Sequence, residues 1–167
     1  MGRYRWNKKT TVEECKSVST TFLKQHDYFC GFRWGGMKWT NGQGEETGSI
    51  SFRVSVQEWT GEISFQYTQT QRHNSEKESL DYPVSLTARP CRYGGKRWWF
   101  ICPLVVNGRV CNRRVGRLHL GGGKYFGCRY CYNLAYESSK ESHKFDSMFL
   151  KMGVDPKIGK QIFKRGI

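Results

Sequence analysis

Long apolar runs are absent from this 167-residue chain. Its uncharged stretches are short and rich in Gly, Ser and Thr, whereas a bilayer-spanning helix needs ~20 apolar residues in a row. No apolar segment follows Met1-Gly2-Arg3-Tyr4-Arg5-Trp6, so no secretory signal is read and the expected compartment is the cytoplasm. Hydrophobic residues are scarce, at 37%. Aromatics make up for the shortfall: ten Phe, nine Tyr and six Trp can build a core with few aliphatics, which excludes a disordered chain. The size, 19.5 kDa, fits one domain or one domain with a small satellite.

Acidic residues are missing from one long segment. Residues 1–88 carry eleven bases and ten acids, residues 89–130 carry ten bases and no acid, and residues 131–167 carry seven bases and four acids. The net charge of +14 is thus concentrated in the middle of the chain. Such a segment points to an anionic partner, of which nucleic acid is the commonest.

The amino-terminal part reads as a helix followed by strands. Thr11 and Glu14 have capping-box spacing, and Val12, Cys15, Val18, Phe22 and Leu23 follow a helical apolar stripe. Further on, Ile50, Phe52, Val54 and Val56 alternate with polar residues, and Ile63, Phe65 and Tyr67 do so again after Thr60-Gly61. This predicts a hairpin with its turn near Thr60-Gly61. Phe32, Trp34 and Trp39 suggest an earlier strand broken at Gly35-Gly36, and Tyr82, Val84 and Leu86 a later one. Residues 97–101 form a further apolar strand, Tyr130–Lys144 lacks Gly and Pro and reads as helix, a short helix is expected at Phe145–Lys151, and Asp155-Pro156 reads as the start of a terminal turn. The expected fold is α+β: a helix and small antiparallel sheet over 1–88, a basic zinc ribbon over 89–136, and a short helical segment over 137–167.

Seven cysteines, an odd number, argue against a disulfide framework. Four of them have metal-ligand spacing. Cys128-Arg129-Tyr130-Cys131 is a CxxC, which sets two thiolates on one tight turn. Cys102 and Cys111 are separated by eight residues, but Asn107-Gly108 is a type I′ turn signal that folds this insert into a hairpin and makes them neighbours. Four soft donors suit one structural Zn²⁺, with no position left open for water. Cys91 is a spare thiol, able to substitute as a ligand.

Several strings here resemble a known family. Arg97-Trp98-Trp99-Phe100 with Cys102-Pro103, Cys111 with Arg113-Arg114, and Tyr125-Phe126-Gly127-Cys128-Arg129 with Cys131-Tyr132 are similar to a family of short, largely uncharacterised bacterial and mobile-element proteins with a four-cysteine zinc ribbon. Leu134 with Tyr136-Glu137-Ser138, Asp81-Tyr82-Pro83-Val84 and Thr10-Thr11-Val12-Glu13 fit the same pattern. The resemblance implies a shared fold and the metal site, and it carries no activity with it.

In the basic segment, Arg92, Lys96, Arg97, Arg113, Arg114, Arg117, Lys124 and Arg129 are the expected phosphate contacts, with Trp98 or Tyr125 stacking on a base. The expected function is nucleic-acid binding without catalysis. The alternative is a protein-docking module, acting on a bacterial nucleic-acid machine. His119, Asn133 and His143 evoke a His-Asn-His nuclease, but in that pattern the Asn precedes the last cysteine pair, whereas Asn133 follows Cys131.

Overall fold

In the computed structural model, which describes residues 9–70, 77–141, 150–153 and 155, strict alternation of apolar residues builds long strands. Ile50, Phe52 and Val54 of β3 (Glu46–Val56), Ile63 and Phe65 of β4 (Thr60–Thr70), and Leu80, Val84, Leu86 and Ala88 of β5 (Lys77–Pro90) are all buried. Residues two apart share one sheet face, so each strand turns one side to the core and the other outward. With β2 (Phe32–Thr40), β6 (Lys96–Ile101) and β9 (Arg114–Val115), they form a curled six-stranded antiparallel sheet in the order β2-β3-β4-β5-β6-β9.

Two smaller pieces complete the fold. β1 (Lys16–Ser19) pairs with β10 (Arg117–Leu120), and β7 (Val105–Val106) with β8 (Arg109–Val110). The core lies under the inner sheet face, where Val18, Leu118, Phe126 and Leu23 of α1 (Thr20–Gln25) meet Phe52, Phe65, Trp98 and Phe100. Its aromatic rings pack edge-on, tilted or stacked: Phe65 lies 5.3 Å from Phe126 and 6.0 Å from Tyr82, and Trp39 is stacked on Phe126. Such geometry lets rings substitute for the missing aliphatics.

This is a mostly β protein, with 52% strand and 8% helix among the described residues, which overturns the α+β expectation. The amino-terminal stripe is not one helix. The capping contact forms, the Thr11 N–H donating to Glu14 Oε2 at 2.9 Å, but it closes only a turn. Val18 then pairs with Leu118 in a strand, and the six-residue α1 starts from its own N-cap, Ser19, whose hydroxyl accepts the Phe22 N–H at 3.1 Å. Pairing with β10 offers Ser17-Val18-Ser19 a full ladder and a buried Val18, which outweighs helix propensity.

Other expectations shift similarly. β2 runs unbroken through Gly35-Gly36, and the β3–β4 turn is closed by the Gln57 N–H donating to the Thr60 carbonyl. The boundary drawn after residue 88 falls inside β5, and β6 and β9 continue the same sheet. The helix expected from Tyr130 starts only at α2 (Glu137–Glu141), because Asn133 takes φ 49° and the Leu134 N–H turns back to the Arg129 carbonyl; its expected end at Lys144 lies outside the described residues. The expected helix at Phe145–Lys151 and the turn from Asp155-Pro156 lie largely outside the described residues. No described helix is long and apolar enough to cross a membrane.

Phe65 is fully buried and Trp34 is 80% exposed, although both lie on strands of one sheet. Phe65→Ala should therefore cost ~3–5 kcal/mol in denaturant unfolding. Trp34→Ala should cost less than ~0.5 kcal/mol. Equal midpoints for the two variants would contradict this assignment of the core.

Candidate metal centre and the arginine face

Three chain segments converge on four sulfur atoms. β6 ends at Ile101, so Cys102 follows directly from a rigid strand and is fully buried. Asn107 and Gly108 both take positive φ, 52° and 74°, as the type I′ turn requires, and they fold β7 onto β8. The Cys111 N–H donates to the Leu104 carbonyl and the Cys102 N–H to the Arg113 carbonyl, each at 2.9 Å, so the hairpin returns Cys111 to Cys102. The turn Cys128–Cys131 supplies the second pair. Gly127, just before it, is pressed against Leu104 and the Tyr132 ring, and any Cβ there would strike Leu104.

The four Sγ atoms lie within 4.8 Å of one another. Cys102–Cys131 and Cys111–Cys128 are 3.8 Å apart, and Cys128–Cys131 3.5 Å. A tetrahedron with ~2.3 Å metal–sulfur bonds has edges of about 3.8 Å. The sulfur set therefore fits one metal ion, while these separations are far from the ~2.05 Å of a disulfide. The Cys128 N–H points at Cys102 Sγ (3.3 Å) and the Cys131 N–H at Cys128 Sγ (3.4 Å), donors that favour the thiolate form. Burial foremost pushes the Cys102 thiol up to about 11 against backbone hydrogen bonds from Leu104 and Cys128, and burial together with the neighbouring thiols raises that of Cys131. Cys111 is also raised by burial, but a backbone hydrogen bond from Arg113 and bonds from the neighbouring thiols bring it below its ordinary value. A divalent cation supplies the charge that four such groups need to ionise together. Cys91 is exposed in the β5–β6 loop and stands outside the group.

The predicted basic residues separate into two sets. Arg97 and Trp99 share the outer face of β6, and the Arg97 guanidinium lies over the Trp99 ring at 4.3 Å. Arg89 stands directly opposite Arg97, and Arg114 opposite Ile101, so all three arginines are on the outer face. The CxxC turn continues the surface: Arg129 sits between Tyr130 and Tyr136 at 4.8 and 4.6 Å, and Arg113 covers Tyr130 at 4.6 Å. Arg117 joins this group across the cleft beside Arg129, and Arg92 lies with Arg89 and Arg114.

The rest of the predicted set is elsewhere. Lys96 points to the inner side, where it donates to the Glu58 carbonyl and lies over Trp59 at 4.4 Å. Lys124 is paired with Glu78 at 2.7 Å. Tyr125 stands edge-on to Tyr82, beside an apolar groove. Trp98 is 7% exposed and stacked on Phe29, which removes it as a base-stacking residue. Neighbours on a strand face opposite ways, so Trp99, not Trp98, belongs to the arginine face.

His119 and Tyr136 were not among the expected contacts. His119 is 4% exposed, its backbone bonded to Gly127 in both directions, and its Nδ1 has no hydrogen-bond partner among the described residues. Burial foremost, then the Arg117 charge, holds its imidazole below the ordinary value against an opposing pull from Glu13. Position 119 is predictable as a strand position only once β10 is known. Tyr136 is reached by no spacing rule.

No protein-family model, curated protein or solved structure matches the chain, so the resemblance described above rests on its motifs alone.

Cys128→Ser removes one of four ligands. It should abolish stoichiometric metal retention and unfold the segment around the turn, since structural metal contributes on the order of 10 kcal/mol in small modules. Cys91→Ser should keep one metal per chain. Metal content after dialysis and thermal melting check both, and a Cys128→Ser protein with its metal and melting temperature intact would refute the site.

Proposed function

We propose that the chain is a zinc-stabilised nucleic-acid-binding protein whose metal is structural. Zinc is the ion that four thiolates in a tetrahedron suit best, with iron the competing choice for the same donors. Four protein sulfurs close the coordination sphere and favour a structural role over a catalytic one.

The observation that carries the reading is the arginine face. Arg89, Arg97, Arg113, Arg114, Arg117 and Arg129 enter no ion pair among the described residues, and Arg89 and Arg97 are directly opposed on adjacent strands. Like charges in that register are destabilising, so a folded protein that keeps them without a carboxylate is built for an external polyanion. Arginine on a flexible surface alone would be weak support. Here the Arg97, Arg113 and Arg129 guanidinium groups lie over rings carried by a strand and by the CxxC turn, which presents cations from positioned elements to phosphate.

Affinity for short oligonucleotides should therefore fall steeply with salt. Arg113→Ala together with Arg114→Ala should weaken binding and flatten the log–log salt slope by about two. Lys38→Ala, paired with Glu46 near the opposite sheet edge, should leave both unchanged. Binding that ignores salt, or a double variant identical to the parent, would refute the reading. Metal analysis of the purified protein tests the zinc assignment, and a visible iron–thiolate absorption would overturn it.

A further inference from the structure

The arginine face is not flat. One cleft of about 380 Å³ lies between the β6 side chains, Arg117 and His119 of β10, and Arg129 and Tyr130 of the CxxC turn. A second, of about 490 Å³, lies among Arg89, Arg92 and Arg114. Arg97 and Trp99 line both, so their stacked pair forms the ridge between two adjoining compartments. No acidic residue lines either cleft.

We propose that this divided groove binds single-stranded nucleic acid, with consecutive nucleotides straddling the Arg97–Trp99 ridge. This rests on the nucleic-acid reading above and adds the strand form and the residues that select it. The chemistry of the lining supports it in three ways. First, compartments of this size match a small-molecule pocket, which typically measures ~300–1,000 Å³, and so accommodate a nucleotide unit. A duplex presents only its outer backbone to such a cleft, because its bases are stacked inside. Second, Trp99 and Tyr130 stand within a ring of arginines. An unpaired base has a π-face for them, whereas duplex phosphates have none.

Third, His119 lines the first cleft, and its buried Nδ1 has no partner among the described residues. An unsatisfied buried nitrogen is costly, and it persists where something outside the chain completes it. A base edge or a phosphate oxygen does so, and imidazole can serve either as donor or as acceptor.

The test uses the full chain with its metal in place, a fluorescently labelled oligothymidine, and a labelled duplex of equal length. The single strand should bind about tenfold or more tightly than the duplex at one fixed salt concentration. Trp99→Ala should lose about tenfold on the single strand and little on the duplex, and Trp99→Phe should restore most of the loss. Should Trp99→Ala fail to fold, Tyr130→Ala carries the same comparison from a 61% exposed position. Equal or tighter binding to duplex, or unchanged single-strand affinity in Trp99→Ala or Tyr130→Ala, would overturn the groove while leaving nucleic-acid binding standing. Absence of binding to either oligonucleotide at low salt would overturn both.

Discussion

Four sulfur atoms within 4.8 Å of one another bring together segments that are otherwise weakly held. The β7–β8 hairpin has two residues per strand, and the turn from Cys128 to Asn133 belongs to no sheet or helix. Neither can fix its own geometry, since so short a hairpin is marginal in water. A shared metal would change that, because it would link the end of β6, the far end of the hairpin and the CxxC turn at a single point. Arg113 follows the second ligand by two residues, while Arg129 and Tyr130 lie between the last two. The elements that could hold a metal and the elements that present Arg113 and Arg129 are thus the same short stretches of chain.

The six-stranded sheet supplies the other half of the arrangement. Its inner face is spent on a core of phenylalanines and β-branched residues, with α1, β1 and β10 closing over it. Its outer face is left to polar residues, and towards β3 and β4 these are mutually satisfied, as in the Arg53–Asp81 pair with Gln66. Beyond Asp81, along the rest of β5 and across β6 and β9, the acids disappear and arginines remain. One continuous surface therefore changes from self-neutralised to strongly cationic across a few strands. The cationic end is also where the metal-bearing turn abuts the sheet, which converts a flat face into clefts.

Much of this was legible in the amino acids. The period-two runs at Ile50–Val54 and Ile63–Phe65 specify strands because only one face is buried. The Asn107-Gly108 turn was predictable because few residue pairs tolerate two successive positive φ angles, and the four ligands because cysteine pairs at these spacings are chemically specific. The amino-terminal segment was misread because local signals there are weak: a capping contact and a helical stripe both exist, yet long-range pairing of Val18 with Leu118 decides the outcome. The helix expected from Tyr130 begins later, at Glu137, for a related reason. Absence of Gly and Pro permits a helix, but the tight turn at the thiolates and the left-handed Asn133 interrupt it.

By itself, the sequence determined the alternating strands, the metal-ligand set and the concentration of positive charge, because each depends on residue type and short spacing. Tertiary structure alone decided that Trp98 is core and Trp99 is surface, that Lys96 and Lys124 are engaged away from the arginines, and that His119 lies beside Arg117 and Arg129. These depend on which face of which strand meets the core, and on where a metal-closed turn comes to rest. Both are set by contacts between residues far apart in the chain, which no local pattern records.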